Sequence, residues 1–151
     1  MLSSTFYVDD TLVITNDVGP AGLSAGDEVT FAFGEAGQTA GLIFGTNAFA
    51  SIQSAITAAS AGDTINVAAG TYSELLTVNK SVTLLGANAG LTANGVANRA
   101  LRGPETIISA GVYPAAGGVL VTAANATIDG FSILGNGVRN GEVAHVQVSA
   151  P

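Results

Sequence analysis

The sequence predicts an all-β protein, specifically a right-handed parallel β-helix (β-solenoid) with an N-terminal capping α-helix. Many short apolar segments follow one another closely, and only one segment has helical periodicity. No long helical crossover separates the strands, as a flat parallel sheet would require. The composition agrees, because 48% apolar residues, 10% charged residues and 20 glycines suit short strands joined by small turns. A chain of 151 residues is long enough for one structural unit with its own core.

The first 44 residues are expected to form an N-terminal β-strand segment that packs on the beginning of the solenoid. Three apolar segments, at 6–8, 11–15 and 28–33, are divided by turn residues. In the third segment Val29, Phe31 and Phe33 alternate with other residues, which is the period of a half-buried strand.

The segment 45–62 is predicted to be the capping helix. Phe49, Ile52 and Ile56 recur at spacings of three and four, so they share one helical face. Thr46 or Asn47 is the expected N-cap, and Gly62 lies where a left-handed residue favours the end of a helix.

Residues 63–151 are predicted to form the rungs of the solenoid. Short apolar strands recur there, and the stretches 78–86 and 124–135 share one scheme: an asparagine, a β-branched pair and an apolar run that ends in glycine. In a solenoid the inward residues of successive turns stack into ladders, and a polar residue or glycine turns each corner. This length corresponds to about four turns.

Two segments resemble a known family. The residues 48–56 (AFASIQSAI) and 61–74 (AGDTINVAAGTYSE) resemble the entry segment of the pectin-lyase-like superfamily, and 127–133 (TIDGFSI) resembles its parallel β-helix repeat. The resemblance covers residues 45–135 and implies a right-handed solenoid whose first turn is capped by a helix. It implies no particular reaction, because that fold carries lyases, hydrolases, esterases, adhesins and inert spacers.

The acidic residues do not form a recognisable catalytic or metal-binding pattern. Polysaccharide cleavage needs clustered carboxylates, or calcium-binding acids beside a base, and the acids here are scattered. Asp63 and Asp129 are interpreted as turn residues. The pairs 9–10 and 27–28, with Asp17, match no calcium loop and are interpreted as solvated turns. No catalytic residue, metal or cofactor is therefore expected.

Arg99 and Arg102 are the candidate ligand-binding residues, because they flank the longest break in the strand pattern, residues 88–104. The alternative is that both arginines only keep an exposed loop soluble. His145, the only histidine, is interpreted as an outward strand residue, and with no cysteine in the chain a transition-metal site is not expected.

Charge and hydropathy restrict the partners. A formal net charge of −7 disfavours nucleic acid and anionic membrane surfaces, and no apolar run approaches the roughly 18–20 residues that span a bilayer. We expect an extracellular or cell-surface location, with no export signal in this sequence.

The favoured function is a non-catalytic structural or interaction module of a bacterial surface protein, such as an adhesin. Its last turn is expected to be uncapped, and either further rungs or another copy of the chain would cover it, which allows homo-oligomers or fibres. The alternative is a polysaccharide-binding domain, or a polysaccharide lyase or hydrolase.

Overall fold

The computed structural model describes residues 3–31, 40–91, 101–112, 118–136 and 146–148. The described part contains short strands and one helix. In chain order these are β1 (Thr5–Val8), β2 (Val13–Asn16), β3 (Glu28–Thr30), β4 (Leu42–Ile43), β5 (Ala48–Phe49), α1 (Ile52–Ala58), β6 (Thr64–Val67), β7 (Gly70–Tyr72), β8 (Leu76–Val78), β9 (Thr83–Leu85), β10 (Thr106–Val112), β11 (Val119–Val121), β12 (Thr127–Asp129), β13 (Phe131–Asn136) and β14 (Val146–Val148).

Three sheets are parallel. The first parallel sheet has the strand order β12-β9-β6-β1-β5, the second β13-β10-β7 and the third β14-β11-β8. Each takes one strand from the segment β6–β8, one from β9–β11 and one from β12–β14. Apolar residues face each other across this register: Ile65 lies opposite Leu84, which lies opposite Ile128.

A fourth sheet is antiparallel, with the order β2-β3-β4. Val29 in its central strand packs with Phe31, Leu42 and Ala48 in a small apolar cluster of its own. Tyr7 of β1 packs against this cluster and lies edge-on to the Phe31 ring, with 6.2 Å between the ring centroids. The antiparallel sheet is thus joined to the parallel sheets through β1.

The predicted fold class, an all-β right-handed parallel β-helix with an N-terminal capping helix, is wrong. The described strands are divided among several small sheets, parallel and antiparallel, with one helix, and no solenoid is detected within the described ranges. Alternation of apolar residues shows that a strand has one buried face, but it does not determine which strands pair. Strand β1, from the segment expected to pack on the beginning of the solenoid, is an interior strand between β5 and β6.

The main core lies between the parallel sheets and α1. Most of its side chains are almost fully buried, and the largest of these include Ile52, Ile56, Ile65, Leu84 and Ile108. Burying apolar side chains of this size stabilises the fold by about 1.5–3 kcal/mol each.

Helix α1 is shorter than the segment 45–62. It begins after Ser51, whose hydroxyl accepts a hydrogen bond from the Ser54 amide, so Ser51 is the N-cap and not Asn47 or Thr46. The Asn47 side chain instead accepts from the Ile43 amide at 2.6 Å. Gly62 has a positive φ of 93°, but in the turn before β6, three residues beyond the C-cap Ala59. The apolar periodicity therefore continued across β5, which placed the predicted helix start too early.

Candidate functional site

Arg102 forms an ion pair with Glu105 in the structure. Its Nε and Nη2 atoms donate to Oε1 and Oε2 of Glu105 at 2.7 and 2.6 Å, the bidentate geometry that suits guanidinium and carboxylate. The hydrogen bond with Arg102 lowers the pKa of Glu105, and the same bond raises the pKa of Arg102. Arg99, the other candidate, lies outside the described residues. The structure therefore does not bring the two arginines together as a ligand site.

Asn88 holds the chain that carries this ion pair. Its side chain is 2% exposed, donates to the Pro104 carbonyl at 3.1 Å and accepts from the Gly103 amide at 3.0 Å. Thr106 continues this network, because its buried hydroxyl bonds to the carbonyls of Val67 and Ala68. The network fixes the start of β10 and has the character of a structural support.

Asp129 is the last residue of β12, and its side chain bonds to a different turn of the chain, not to its own turn as the sequence predicted. Its Oδ2 accepts from the Gly90 amide at 2.7 Å, which ties the end of β12 to the turn that follows β9. Gly130 has a φ of 81°, and a Cβ there would lie 2.2 Å from the Ala89 nitrogen. Only glycine allows these two backbones to approach so closely.

Asp63 also stabilises backbone, and over a longer range. Its carboxylate accepts from the amide of Ser60 and from the amide of Ser4, both at 2.7 Å. The hydrogen bond from Ser60, then that from Ser4, lowers the pKa of Asp63. This side chain joins the exit of α1 to the beginning of β1.

The remaining acids of the first 30 residues lie in two turns and one strand: Asp9 and Asp10 follow β1, Asp17 and Asp27 lie between β2 and β3, and Glu28 begins β3. Asp27 accepts from the amides of Val18 and Ser24, and Asp17 accepts from the Gly19 amide. Asp9 is not the solvated turn residue that was expected, because it is fully buried. Asp27 is also fully buried, but both its oxygens accept hydrogen bonds.

Three side chains, Glu74, Gln53 and Lys80, join α1 to the segments that follow it in the chain. Glu74 accepts from the first two amides of the helix, those of Ile52 and Gln53, each at 2.9 Å. Gln53 in turn accepts from the Thr77 amide at 2.8 Å and donates to the Thr77 carbonyl at 3.4 Å, so it pairs with the free side of β8.

Lys80 covers the other end of the helix. Its Nζ donates to the carbonyls of Thr57 and Ala59 at 2.6 and 2.7 Å. A cation at this position interacts favourably with the negative end of the helix dipole. We call Glu74, Gln53 and Lys80 the helix clasp. Sequence reasoning missed these three roles, although Glu74 and Gln53 both lie in the segments that carry the superfamily resemblance.

At the opposite side of the molecule the three parallel sheets end on consecutive strands, β12, β13 and β14. We call this set the terminal edge. Ile128 and Ile133 pack against the core but are only partly buried, whereas their register partners Leu84 and Ile108 are 1% and 0% exposed. Leu134 of β13 is 50% exposed. No further strand pairs with the terminal edge within the described ranges, and part of the apolar surface of β12 and β13 is exposed.

The described residues contain no group of three or more histidine, cysteine, aspartate or glutamate side chains able to hold a metal ion. His145 lies outside them. The single helix in the described part, α1, is too short to cross a membrane.

Comparison with known proteins returned no matching family model, no matching curated protein and no matching solved structure. The resemblance to the pectin-lyase-like superfamily therefore stays a prediction. Among the described residues, the terminal edge is the surface with the most specific geometry, and it is the candidate functional site.

Proposed function

We propose that the chain is a non-catalytic structural or interaction module of a bacterial extracellular or cell-surface protein, and that it associates with a second copy through the terminal edge. The carrying observation is that, in the described part of the chain, three parallel sheets end on the consecutive strands β12, β13 and β14, while Ile128 of β12 and Phe131 and Ile133 of β13 are only partly buried. Unpaired strand edges pair readily with strands of another chain.

The charge of this edge favours self-association. In the described side chains of β12 and β13, Asp129 is the single ionised residue, and its Oδ2 already bonds to the Gly90 amide. Two copies of this surface therefore meet without the strong repulsion that a net charge of −7 would otherwise cause.

The helix clasp limits the size of the assembly. Because Gln53 occupies both backbone groups of Thr77, β8 offers a poor edge for the terminal strands of another copy. Contact between two terminal edges is isologous, and isologous contacts close at two copies. The proposal is therefore a dimer joined edge to edge, and not an open fibre.

Sedimentation velocity over a series of protein concentrations tests this proposal. The wild type should shift from monomer to dimer, and Leu134→Glu should remain monomeric at every concentration. Val18→Glu is the matched control, since Val18 is 64% exposed but belongs to the N-terminal turns. A wild type that stays monomeric, or a Leu134→Glu variant that dimerises like Val18→Glu, would overturn the proposal.

The alternative of polysaccharide binding or cleavage is less well supported. Of the two candidate ligand-binding residues, Arg99 lies outside the described residues and the Arg102 guanidinium already forms two hydrogen bonds with Glu105. Incubation with acidic polysaccharides, followed for reducing or unsaturated ends, is the direct test of cleavage.

A further inference from the structure

A second feature, independent of the terminal edge, lies at the turn between β1 and β2. Asp9 follows the last residue of β1 and is fully buried. Its Oδ1 accepts from the amide and from the hydroxyl of Thr11, both at 2.8 Å. Its Oδ2 is buried and has no hydrogen-bond partner. Among the side-chain atoms of the described residues it is the only one in this condition.

A buried carboxylate oxygen without a partner needs compensation, because burial removes the water that would stabilise its charge. Neither cationic side chain of the described residues supplies it. Lys80 bonds to the carbonyls at the end of α1, and Arg102 bonds to Glu105.

Asp10 adds a second carboxylate at the same turn. It lies against the first residue of β7: a Cβ at Gly70 would be 2.7 Å from Asp10 Oδ1 and 3.2 Å from Oδ2. Glycine at position 70 therefore makes room for this carboxylate. No hydrogen bond to the Asp10 side chain is found within the described ranges, so its oxygens are available for a ligand.

We infer that Asp9 and Asp10 bind a hard cation, calcium, at the turn between β1 and β2. Calcium prefers carboxylate, carbonyl and water oxygens and tolerates irregular arrangements of six to eight of them. Asp9 Oδ2 and the Asp10 carboxylate supply the negative charge, and water and backbone carbonyls complete the shell. Bound calcium would compensate the buried oxygen and hold the antiparallel sheet against the start of β7.

The test is a calcium titration of the full chain after treatment with a chelator, followed by calorimetry and by the thermal unfolding midpoint. Wild type should bind one calcium ion and unfold at a higher temperature with it. Asp10→Asn should bind at least about ten-fold more weakly, because the site loses one of its charges. Asp9→Asn should lose binding, and if that variant does not fold, Asp10→Asn alone decides the result.

Asp17→Asn is the matched control, since Asp17 is an exposed acid of a neighbouring turn whose carboxylate accepts from the Gly19 amide. It should bind calcium like the wild type. The inference is overturned if the wild type does not respond to calcium, which would leave a buried water as the partner of Oδ2. Equal calcium affinity in the wild type and Asp10→Asn would also overturn it. So would a magnesium-induced shift of the unfolding midpoint that is the same in the wild type and every variant.

Discussion

The two outer sides of the parallel sheets differ in how their core residues and strand edges are covered. On the side of α1, the helix covers the core with Ile52 and Ile56, and the helix clasp satisfies backbone groups of both the helix and β8. At the terminal edge, the equivalent apolar residues stay partly exposed, and no described side chain pairs with the outer strands. One side is thus covered by the helix and its clasp, whereas no described residue covers the outermost strands on the other side.

The largest loss of stability is expected when a charge replaces an apolar residue in an interior strand, and the same change at the terminal edge should cost less. Ile65→Asp places a charge at a position that is 0% exposed in β6 and should destabilise the protein by about 4 kcal/mol or more, enough to unfold it. Ile128→Asp lies two strands further in the same register and should cost much less in the monomer, because Ile128 is only partly buried. Urea unfolding at a low protein concentration measures both.

If the terminal edge binds a second copy, Ile128→Asp should also abolish the dimer while the monomer remains folded. Equal losses of stability in Ile65→Asp and Ile128→Asp would mean that the terminal edge is as well covered as the interior, and would remove the difference between the two sides.

The next effect should come from the helix clasp. Glu74→Ala leaves the amides of Ile52 and Gln53 without their carboxylate partner and should lower the free energy of unfolding by about 1.5–3 kcal/mol. Glu74→Gln is the matched control, since its amide oxygen can retain one of the two bonds, so its loss should be smaller. Denaturant unfolding with circular dichroism is the measurement, and a Glu74→Ala variant as stable as the wild type would contradict the assigned role.

The smallest effect should appear at Asp63 and should depend on pH. Hydrogen bonds from the Ser60 and Ser4 amides lower the pKa of Asp63, so its ionised form stabilises the fold. That contribution is present above the ordinary aspartate value of about 3.9 and is lost as the pH falls through the lowered pKa.

The unfolding temperature of Asp63→Asn should therefore lie below that of the wild type at neutral pH, and the gap should narrow in strong acid. Scanning calorimetry across an acidic pH series measures this gap. A gap that widens as the pH falls would have the wrong sign for this mechanism.

The sequence predicted the strands better than their arrangement. Short apolar strands were predicted within residues 63–151 and include β6 at Thr64–Val67, and the apolar segments 6–8, 11–15 and 28–33 overlap β1, β2 and β3. The sheets were not predictable in the same way, because pairing of β1 between β5 and β6 joins residues about 40 to 60 positions apart in the chain. Local periodicity contains no information about such partners.

The hydrogen bonds of the polar side chains could also be predicted only where the partner is close in sequence. Part of the role of Asp63 was predictable, because an aspartate in a turn bonds to nearby amides such as that of Ser60. The bond of Asp63 to the Ser4 amide and the bond of Asp129 to the Gly90 amide reach distant segments and were not predictable. The bonds of Gln53, Glu74 and Lys80 were not predictable either, since each bonds to a group 21 to 24 residues away. The burial of Asp9 was missed as well, because burial depends on packing between segments that are distant in sequence; the Asp9 amide donates to the Phe49 carbonyl.

The position of the helix clasp along the chain has a consequence for synthesis. Helix α1 has seven residues, too few to be stable alone in water, while Glu74 and Lys80 follow it by 16 and 22 residues. A nascent chain that has emerged only as far as residue 60 therefore cannot retain this helix. The helix can be held by its clasp only once Lys80 has left the ribosome, which is after β8 has emerged.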